Sequence, residues 1–285
     1  MKAVPGDPLT QEQSLHKEIY ESLRAFYGFD KPLLEQYIDY LKNILTFNMG
    51  PSLIHSGRTA TAVIREAFPV SAFLGLEALL IASTFGLTAG MFSAILKGRG
   101  ADNFVQFTTV LMLSIPSFIL GAFLQYLLAV RWELLPVARW ETLAHTLLPS
   151  LALAAMPGAF LAKLVRANMI EVLKQDYILL ARAKGLPFWF VMRRHALRNA
   201  LLPLFGYFGK MSANILVGSF VIEKIFSIPG LGYWFVSSIG SRDYPIIMAL
   251  TIFYSILLLG ALFLADIAHA WMDSRLYRKS EGVMA

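Results

Sequence analysis

Runs of apolar residues long enough to cross a lipid bilayer constrain the fold of this chain more than any other feature. A helix needs about 20 predominantly apolar residues to span a hydrocarbon core roughly 30 Å thick. Apolar residues make up 56% of the chain and charged residues 15%, which is more apolar length than a soluble core uses. We therefore predict an all-α polytopic membrane protein. Its five visible spans cover residues 70–96, 104–130, 143–165, 199–222 and 245–271.

Lysine and arginine are distributed unevenly among the connections between these spans. Short cytoplasmic loops are enriched in both residues. They concentrate in segment 166–198 and the tail 272–285, and are sparser in the connections that include segment 223–244. We therefore expect segment 166–198 and the tail to be cytoplasmic, and segments 1–69 and 223–244 to be extracytoplasmic. The predicted permease domain covers residues 70–271.

Common signals of catalysis and metal binding are missing from the sequence. It contains no cysteine, and its five histidines do not have the spacing of metal ligands. It also lacks the Gly-x-x-x-x-Gly-Lys-[Ser/Thr] phosphate loop and the Gly-x-Gly-x-x-Gly dinucleotide motif. We therefore expect no catalytic residue, no metal site and no cofactor in this chain. If ATP and Mg are used, a separate subunit binds them.

The predicted extracytoplasmic segment contains two stretches with helical spacing of apolar residues. These cover residues 11–26 and 32–45, and a turn around Gly28 separates them. The apolar face of the second helix either packs on the ends of the spans or docks an external partner.

Segment 166–198 predicts a helix, a sharp elbow and a second helix. Good helix formers at 169–180 are followed by Gly185, which permits a backbone bend, and by Pro187, which suits the first turn of the helix at 188–197. A basic element of this kind either lies at lipid headgroups or fits a cleft on a soluble partner. The elbow favours the partner, because a plain surface anchor needs no tight bend.

Short motifs in a fixed order extend over almost the whole chain. They are GFDKPLLEQY at 28–37, FPVS at 68–71, IPSF at 115–118, ARAKGLP at 181–187, RRHALRNALLP at 193–203, PGLG at 229–232 and RDYP at 242–245. Together they resemble permease subunits of bacterial ATP-binding-cassette (ABC) importers, specifically the dipeptide, oligopeptide and nickel permease family. The resemblance implies a type I importer transmembrane domain with six spans. It also leads us to expect that the first span, ending near residues 5–8, is missing from this sequence.

The resemblance implies a non-catalytic transport subunit that forms half of a pathway for di- or oligopeptides. Its partners would be a second homologous permease, two ABC ATPases that bind ATP and Mg, an extracytoplasmic substrate-binding protein and membrane lipid, but no nucleic acid. The expected location is the bacterial cytoplasmic (inner) membrane, with the C-terminus in the cytoplasm. The implied ATPase-coupling residues are Ala181, Arg182, Ala183, Lys184, Gly185, Leu186, Pro187, Arg193, Arg194 and His195.

Two further groups of residues are predicted to be functional. Ionisable residues inside spans usually face a protein interior or water. We therefore predict that Lys210 either lines the pathway, together with the polar residues Ser212 and Asn214, or pairs with an acidic residue elsewhere in the complex. Neighbouring glycines such as Gly209 either line the pathway as well or permit close helix packing. The resemblance implies an extracytoplasmic gate or binding-protein contact that comprises Pro229, Gly230, Gly232, Arg242 and Asp243.

Other functions are weighed against peptide import. A nickel or other small-solute ABC permease is the alternative within the family. A secondary carrier would need paired broken helices and internal repeats, and the sequence shows no repeat. A membrane scaffold would have no reason for the bent basic loop.

Overall fold

Helices form nearly all of the regular structure in the computed structural model, which describes residues 28, 30–55, 57–201, 204–217 and 219–272. Within these ranges β-structure is limited to an isolated bridge between Pro51 and Thr59, so the predicted all-α fold is confirmed. The helices are α1 (Leu33–Leu45), α2 (Ala60–Ile95), α3 (Gly100–Ser114), α4 (Ser117–Leu124), α5 (Ala144–Val172), α6 (Asp176–Ala183), α7 (Phe188–Phe190), α8 (Arg198–Leu201), α9 (Phe205–Val217), α10 (Phe220–Ile225), α11 (Leu231–Ser241) and α12 (Tyr244–Met272). Two π-helical segments, Gln125–Arg131 and Val191–Leu197, continue α4 and α7.

The described residues fall into two compact units. Unit 1 is drawn from Met1–Ser71 and Pro229–Ser255, and unit 2 from Ala72–Ile228 and Ile256–Ala285. Helix α1 lies in unit 1 and matches the helix predicted at 32–45. The helix predicted at 11–26 lies outside the described residues.

Three described helices are long and apolar enough to cross a membrane on their own. They are α2, α5 and the Tyr244–Ile267 part of α12. A fourth span is possible only if α3 and the helical stretch Ser117–Arg131, which meet at 106°, are counted together. The described residues therefore contain fewer unbroken spans than the apolar runs predicted.

The span predicted at 104–130 is wrong as a continuous helix. Pro116 has no N–H to donate, and proline disfavours helical geometry in the residue before it. Ile115 is accordingly extended, with φ −95° and ψ 120°. The chain bends at this point and divides the predicted span into α3 and α4.

The span predicted at 199–222 is also interrupted. Its described part consists of α8, α9 and α10, and α9 has 13 residues. At 1.5 Å per residue α9 is about 20 Å long, shorter than the hydrocarbon core. Length and apolarity alone did not predict these breaks.

Helix α2 begins ten residues before its predicted start at Val70. The side chain of Thr59 accepts a hydrogen bond from the N–H of Ala62 at 3.2 Å and so caps the first turn. Pro69 lies within the helix. With 36 residues, α2 is about 54 Å long. Its first turns therefore precede the apolar run at 70–96.

Small residues allow α2 and α5 to pack closely within unit 2. A Cβ atom at Gly86 would lie 2.7 Å from Leu161, and one at Gly90 would lie 2.5 Å from the carbonyl oxygen of Ala162. In the apolar windows of the two helices, 67% of α5 is buried and 33% of α2. Helix α5 is therefore the better buried of the two, and it leads directly towards the predicted coupling segment.

Candidate functional site

Helix α6 ends in a left-handed turn at Gly185. The φ of this residue is +77°, its N–H donates to the carbonyl of Arg182 at 2.9 Å, and the N–H of Leu186 donates to the carbonyl of Ala181 at 3.3 Å. These two bonds define a Schellman motif, which satisfies carbonyls that a helix end leaves unpaired. A Cβ at position 185 would meet nothing within 4 Å. Glycine is therefore needed here for backbone conformation rather than for space, and the predicted elbow is present.

The chain becomes helical again immediately after the elbow. The carbonyl of Pro187 accepts hydrogen bonds from the N–H groups of Phe190 at 3.0 Å and Val191 at 3.1 Å. The following turn, Val191–Leu197, is π-helical. The predicted second helix is thus present, although its hydrogen bonding is not purely α-helical.

The first predicted helix, at 169–180, is wrong as a single element. Helix α5 ends at Val172 and α6 begins at Asp176. The N–H of Gln175 bonds to the carbonyl of Val172 at 3.1 Å, and Gln175 then turns extended, with φ −72° and ψ 146°. Neither glycine nor proline marks this break, so sequence propensity did not reveal it.

Helix α6 has one face packed within unit 2 and one face exposed. Ile178 and Ala181 are buried, at 0% and 7% exposure, whereas Leu179 and Leu180 are 54% and 57% exposed. Ala181 therefore packs within this chain, on the buried face of α6. The exposed leucines were missed by the sequence reasoning. The sequence does contain an indication of them, because α6 has apolar residues on more than one face, which is unusual for a short surface helix.

Most of the other predicted coupling residues are exposed as well. The Arg182 guanidinium lies 6.0 Å from the centre of the Phe188 ring, across the elbow. Leu186 and His195 are half-buried. The remaining members are exposed: Arg182, Ala183, Lys184, Gly185, Pro187, Arg193 and Arg194.

Arg166, one of the cations in segment 166–198, is held in an ion pair. Its Nε and NH2 groups each donate to the carboxylate of Asp102 at 2.8 Å. The Ser93 hydroxyl and the N–H of Gly98, at 2.9 Å, also donate to Asp102, which is 2% exposed. This network joins α2, the α2–α3 connection and α3 to α5. The sequence reasoning missed Asp102, because its ion-pair partner Arg166 lies 64 residues away along the chain.

The three predicted pathway residues lie on α9. Lys210 is exposed, and the Ser212 hydroxyl donates to the carbonyl of Phe208 at 2.8 Å. Asn214 lies on the same helix. A Cβ at Gly209 would lie 2.0 Å from the Cβ of Ala265, which supports the helix-packing alternative for this glycine.

A cavity of about 350 Å³ lies beside α9, and among the described side chains neither Lys210 nor Ser212 lines it. Helix α9 contributes Tyr207, Met211 and Ile215. The Tyr207 hydroxyl donates to the carbonyl of Pro157 at 3.2 Å, which connects α9 to α5. The rest of the lining is Leu113, Ser117, Leu153, Met156, Pro157 and Phe160.

The residues predicted as an extracytoplasmic contact divide into buried and accessible members. Gly230, Gly232 and Asp243 are buried, Arg242 is half-buried, and Pro229 is exposed. The Asp243 carboxylate accepts hydrogen bonds from the Ser52 hydroxyl and from the N–H of Leu53 at 3.2 Å. Asp243 is therefore engaged in packing within unit 1.

The PGLG and FPVS motifs meet in unit 1. The N–H of Leu231 donates to the Ser71 hydroxyl at 2.8 Å, which satisfies a donor at the start of α11. Trp234 on α11 contacts the His55 ring at a centroid distance of 5.2 Å, and the Arg58 guanidinium lies 5.3 Å from its ring centre. Motifs far apart in sequence thus hold α11 in place.

Known proteins are similar in sequence to this chain over nearly its full length. A family model described as "Binding-protein-dependent transport system inner membrane component" matches residues 86–278. The dipeptide transport system permease protein DppB of Bacillus subtilis (strain 168) is 44% identical over 282 residues, covering 99% of this chain and 92% of that protein. The oligopeptide transport system permease protein OppB of Salmonella typhimurium is 35% identical over 278 residues, covering 97% and 91%.

A solved structure of the MetNI methionine ABC transporter in inward-facing conformations matches the backbone with a TM-score of 0.61. The match covers 74% of this chain and 96% of that chain at 17% sequence identity. At that identity the likeness concerns the fold alone.

Proposed function

The chain belongs to the family of binding-protein-dependent transport system inner membrane components, as its motifs predicted, and on this basis we propose that it is the permease subunit of an ATP-driven importer of di- or oligopeptides. Its fold is the type I importer transmembrane fold. Two curated relatives, at 44% and 35% identity, are named for dipeptide and oligopeptide transport. These names favour peptides over nickel or another small solute as the cargo.

The observation that carries the coupling part of the proposal is the two-faced α6 next to a left-handed elbow. Its buried face, with Ile178 and Ala181, fixes the helix to unit 2, while Leu179 and Leu180 remain exposed. An exposed apolar surface beside Arg182 and Lys184 suits a groove on a soluble protein, because binding buries the leucines and leaves the cations to pair with acidic groups. We assign this surface to the ATPase.

Two hydrogen bonds connect α6 to α8 and α8 to α5. Asn199 on α8 donates to the Tyr177 hydroxyl on α6 at 3.0 Å. Asn168 on α5 donates to the carbonyl of Ala200 at 3.2 Å. ATP-driven closure of two ATPases would therefore displace α6 together with α8 and α5, and so turn the helices around the pathway.

The remaining assignments follow from the family and the distribution of cations. The chain works with a second homologous permease, two ATPases that hold ATP and Mg, and an extracytoplasmic binding protein, and it needs no cofactor of its own. Its C-terminus is cytoplasmic. Lys210, Ser212 and Asn214 line the pathway, and Pro229 with Arg242 contacts the binding protein.

The coupling assignment is tested by replacing both exposed leucines, Leu179→Ser together with Leu180→Ser, in the complete transporter. Leu134→Ser is the matched control, because Leu134 is 67% exposed in a loop away from α6. We expect the double variant to enter the membrane but to recover the ATPases at least about tenfold less efficiently, a loss of roughly 1.4 kcal/mol or more of binding energy. Normal recovery of the ATPases with the double variant would contradict the assignment.

The cargo is tested separately with the wild-type transporter in proteoliposomes. We expect ATP-dependent uptake of a labelled dipeptide or oligopeptide in the presence of its binding protein. Uptake of nickel with no peptide uptake would overturn the peptide assignment while leaving the coupling assignment intact.

A further inference from the structure

An open cavity lined by arginines lies on the segment that follows the elbow. Its volume is about 450 Å³ and its lining residues are Phe190, Arg193, Arg194 and Arg198. All three arginines are exposed. Among the described residues none of them forms a salt bridge, whereas Arg166 is paired with Asp102. The cavity therefore presents several cationic groups to a single ligand.

The π-helical turn brings these arginines together. In a π-helix hydrogen bonds join residues five apart, so residues five apart stack along the helix, whereas in an α-helix neighbours on one face are three or four apart. Arg193 lies within the π-helical segment and Arg198 follows it directly. An unbroken α-helix would turn Arg193 well away from Arg198.

Aromatic side chains border the cavity. The Arg194 guanidinium lies 5.9 Å from the centre of the Phe190 ring, and the His195 ring meets Phe190 edge-on at 5.9 Å. Phe188 and Trp189, one turn earlier, are 44% and 69% exposed. Exposed aromatic rings beside arginines are typical of a protein surface at the level of lipid headgroups.

We propose that this cavity binds the phosphate of an anionic phospholipid headgroup. Guanidinium groups bind phosphate oxygens through paired, charge-assisted hydrogen bonds. Arg198 directly precedes the apolar run at 199–222, so the cavity borders a stretch of chain with the composition of a membrane segment.

A lipid suits this surface better than an acidic protein segment. Trp189 and Phe188 would remain exposed beside a purely acidic ligand, whereas the interfacial region of a bilayer accommodates both rings and headgroup phosphate. A bound headgroup would tie the segment after the elbow, including Arg198 at the start of α8, to the bilayer surface. The inference rests on membrane insertion and does not depend on the identity of the cargo.

The test compares the intact transporter in nanodiscs of phosphatidylcholine alone with nanodiscs that also contain phosphatidylglycerol. Native mass spectrometry measures how much phosphatidylglycerol stays bound. Arg193→Gln combined with Arg194→Gln is expected to weaken retention about 30-fold, because each basic residue near an anionic surface contributes roughly fivefold. Arg99→Gln, which changes an exposed arginine outside the cavity, should not alter retention.

Three results would overturn the proposal. The first is equal retention of phosphatidylglycerol by the wild type and the double variant. The second is displacement of phosphatidylglycerol by inorganic phosphate at low concentration, which would identify a site for the free anion. The third is loss of ATPase subunits from the double variant in phosphatidylcholine nanodiscs, which would identify an acidic protein surface as the ligand.

Discussion

The turns at Gly185 and Arg242 have the same hydrogen-bond pattern but are built from different residues. At the second turn the N–H of Arg242 donates to the carbonyl of Ile239 at 3.3 Å, and the N–H of Asp243 donates to the carbonyl of Ser238 at 2.9 Å. The φ of Arg242 is +58°, against +77° for Gly185. Both helices, α6 and α11, therefore end in a Schellman motif, one with glycine and one with arginine in the left-handed position.

The difference shows two ways of holding a left-handed turn. A left-handed conformation costs a residue with a side chain about 1–2 kcal/mol, and such strain persists when the surroundings fix the chain. At Arg242 the next residue, Asp243, is buried and bound to Ser52 and Leu53. At Gly185 the next residue, Leu186, is only half-buried, so the turn depends on the local preference of glycine.

The largest expected effect comes from removing the tertiary contact that fixes the second turn. Asp243→Ala leaves the Ser52 hydroxyl and the N–H of Leu53 without their acceptor in a buried site, which we expect to cost about 3 kcal/mol. The measurement is the free energy of unfolding of the purified chain in detergent. Asp39→Ala is the control, because Asp39 pairs with Lys31 on the surface and such pairs contribute little. If Asp243→Ala and Asp39→Ala lower the free energy of unfolding by similar amounts, the contacts of Asp243 would not explain how the turn at Arg242 is held.

The next largest effect is expected at Gly209, where the close contact with Ala265 leaves no room for a side chain. Gly209→Ala places a Cβ 2.0 Å from that of Ala265, so α9 and α12 must separate, at an expected cost of about 2 kcal/mol. Gly260→Ala on α12 is the matched control, since a Cβ there would meet nothing within 4 Å. Thermal unfolding in detergent compares the two variants. Equal stability would show that the α9–α12 contact relaxes freely.

Substitution of Gly185 should have a smaller effect on stability and a clearer effect on coupling. Gly185→Ala is expected to cost about 1 kcal/mol, because the new side chain disfavours the left-handed conformation although space is available. Gly185→Asn should cost less, and Gly185→Val more. ATP-dependent uptake measured across the series should decline in the order Gly, Asn, Ala, Val. Identical uptake by the Asn and Val variants would refute a conformational role for Gly185.

The smallest effect is expected at the arginine turn. Arg242→Gly removes the left-handed strain but adds the backbone entropy of glycine, so the net stabilisation should be about 0.5 kcal/mol. The midpoint of thermal unfolding should therefore rise slightly. A clear fall would mean that the Arg242 side chain itself stabilises unit 1, and that tertiary fixation of Asp243 is an incomplete explanation of this turn.

Local sequence features predicted those parts of the fold that depend on neighbours along the chain. The runs 143–165 and 245–271 correspond to α5 and α12 because apolar length is what a membrane-spanning helix requires. Gly185 marks the elbow because few other residues adopt its φ. Side-chain pairs across long separations were not predictable in this way. Arg166 and Asp102 are 64 residues apart and Asp243 and Ser52 are 191 apart. The π-helical turn beneath Arg193 also has no local signal.

Helix α5 is extensively buried, yet two prolines interrupt its backbone hydrogen bonding. Pro149 and Pro157 lie inside it, and each removes one rung from the backbone hydrogen-bond ladder and widens the helix locally. The two gaps are eight residues apart, about 12 Å along the axis. Bending stiffness is therefore reduced at two defined depths, while the glycine contacts with α2 at Gly86 and Gly90 hold the neighbouring turns. If α6 transmits force to α5 as we propose, we expect α5 to bend at these two prolines before the packed helices separate, with its two ends tilting by different amounts.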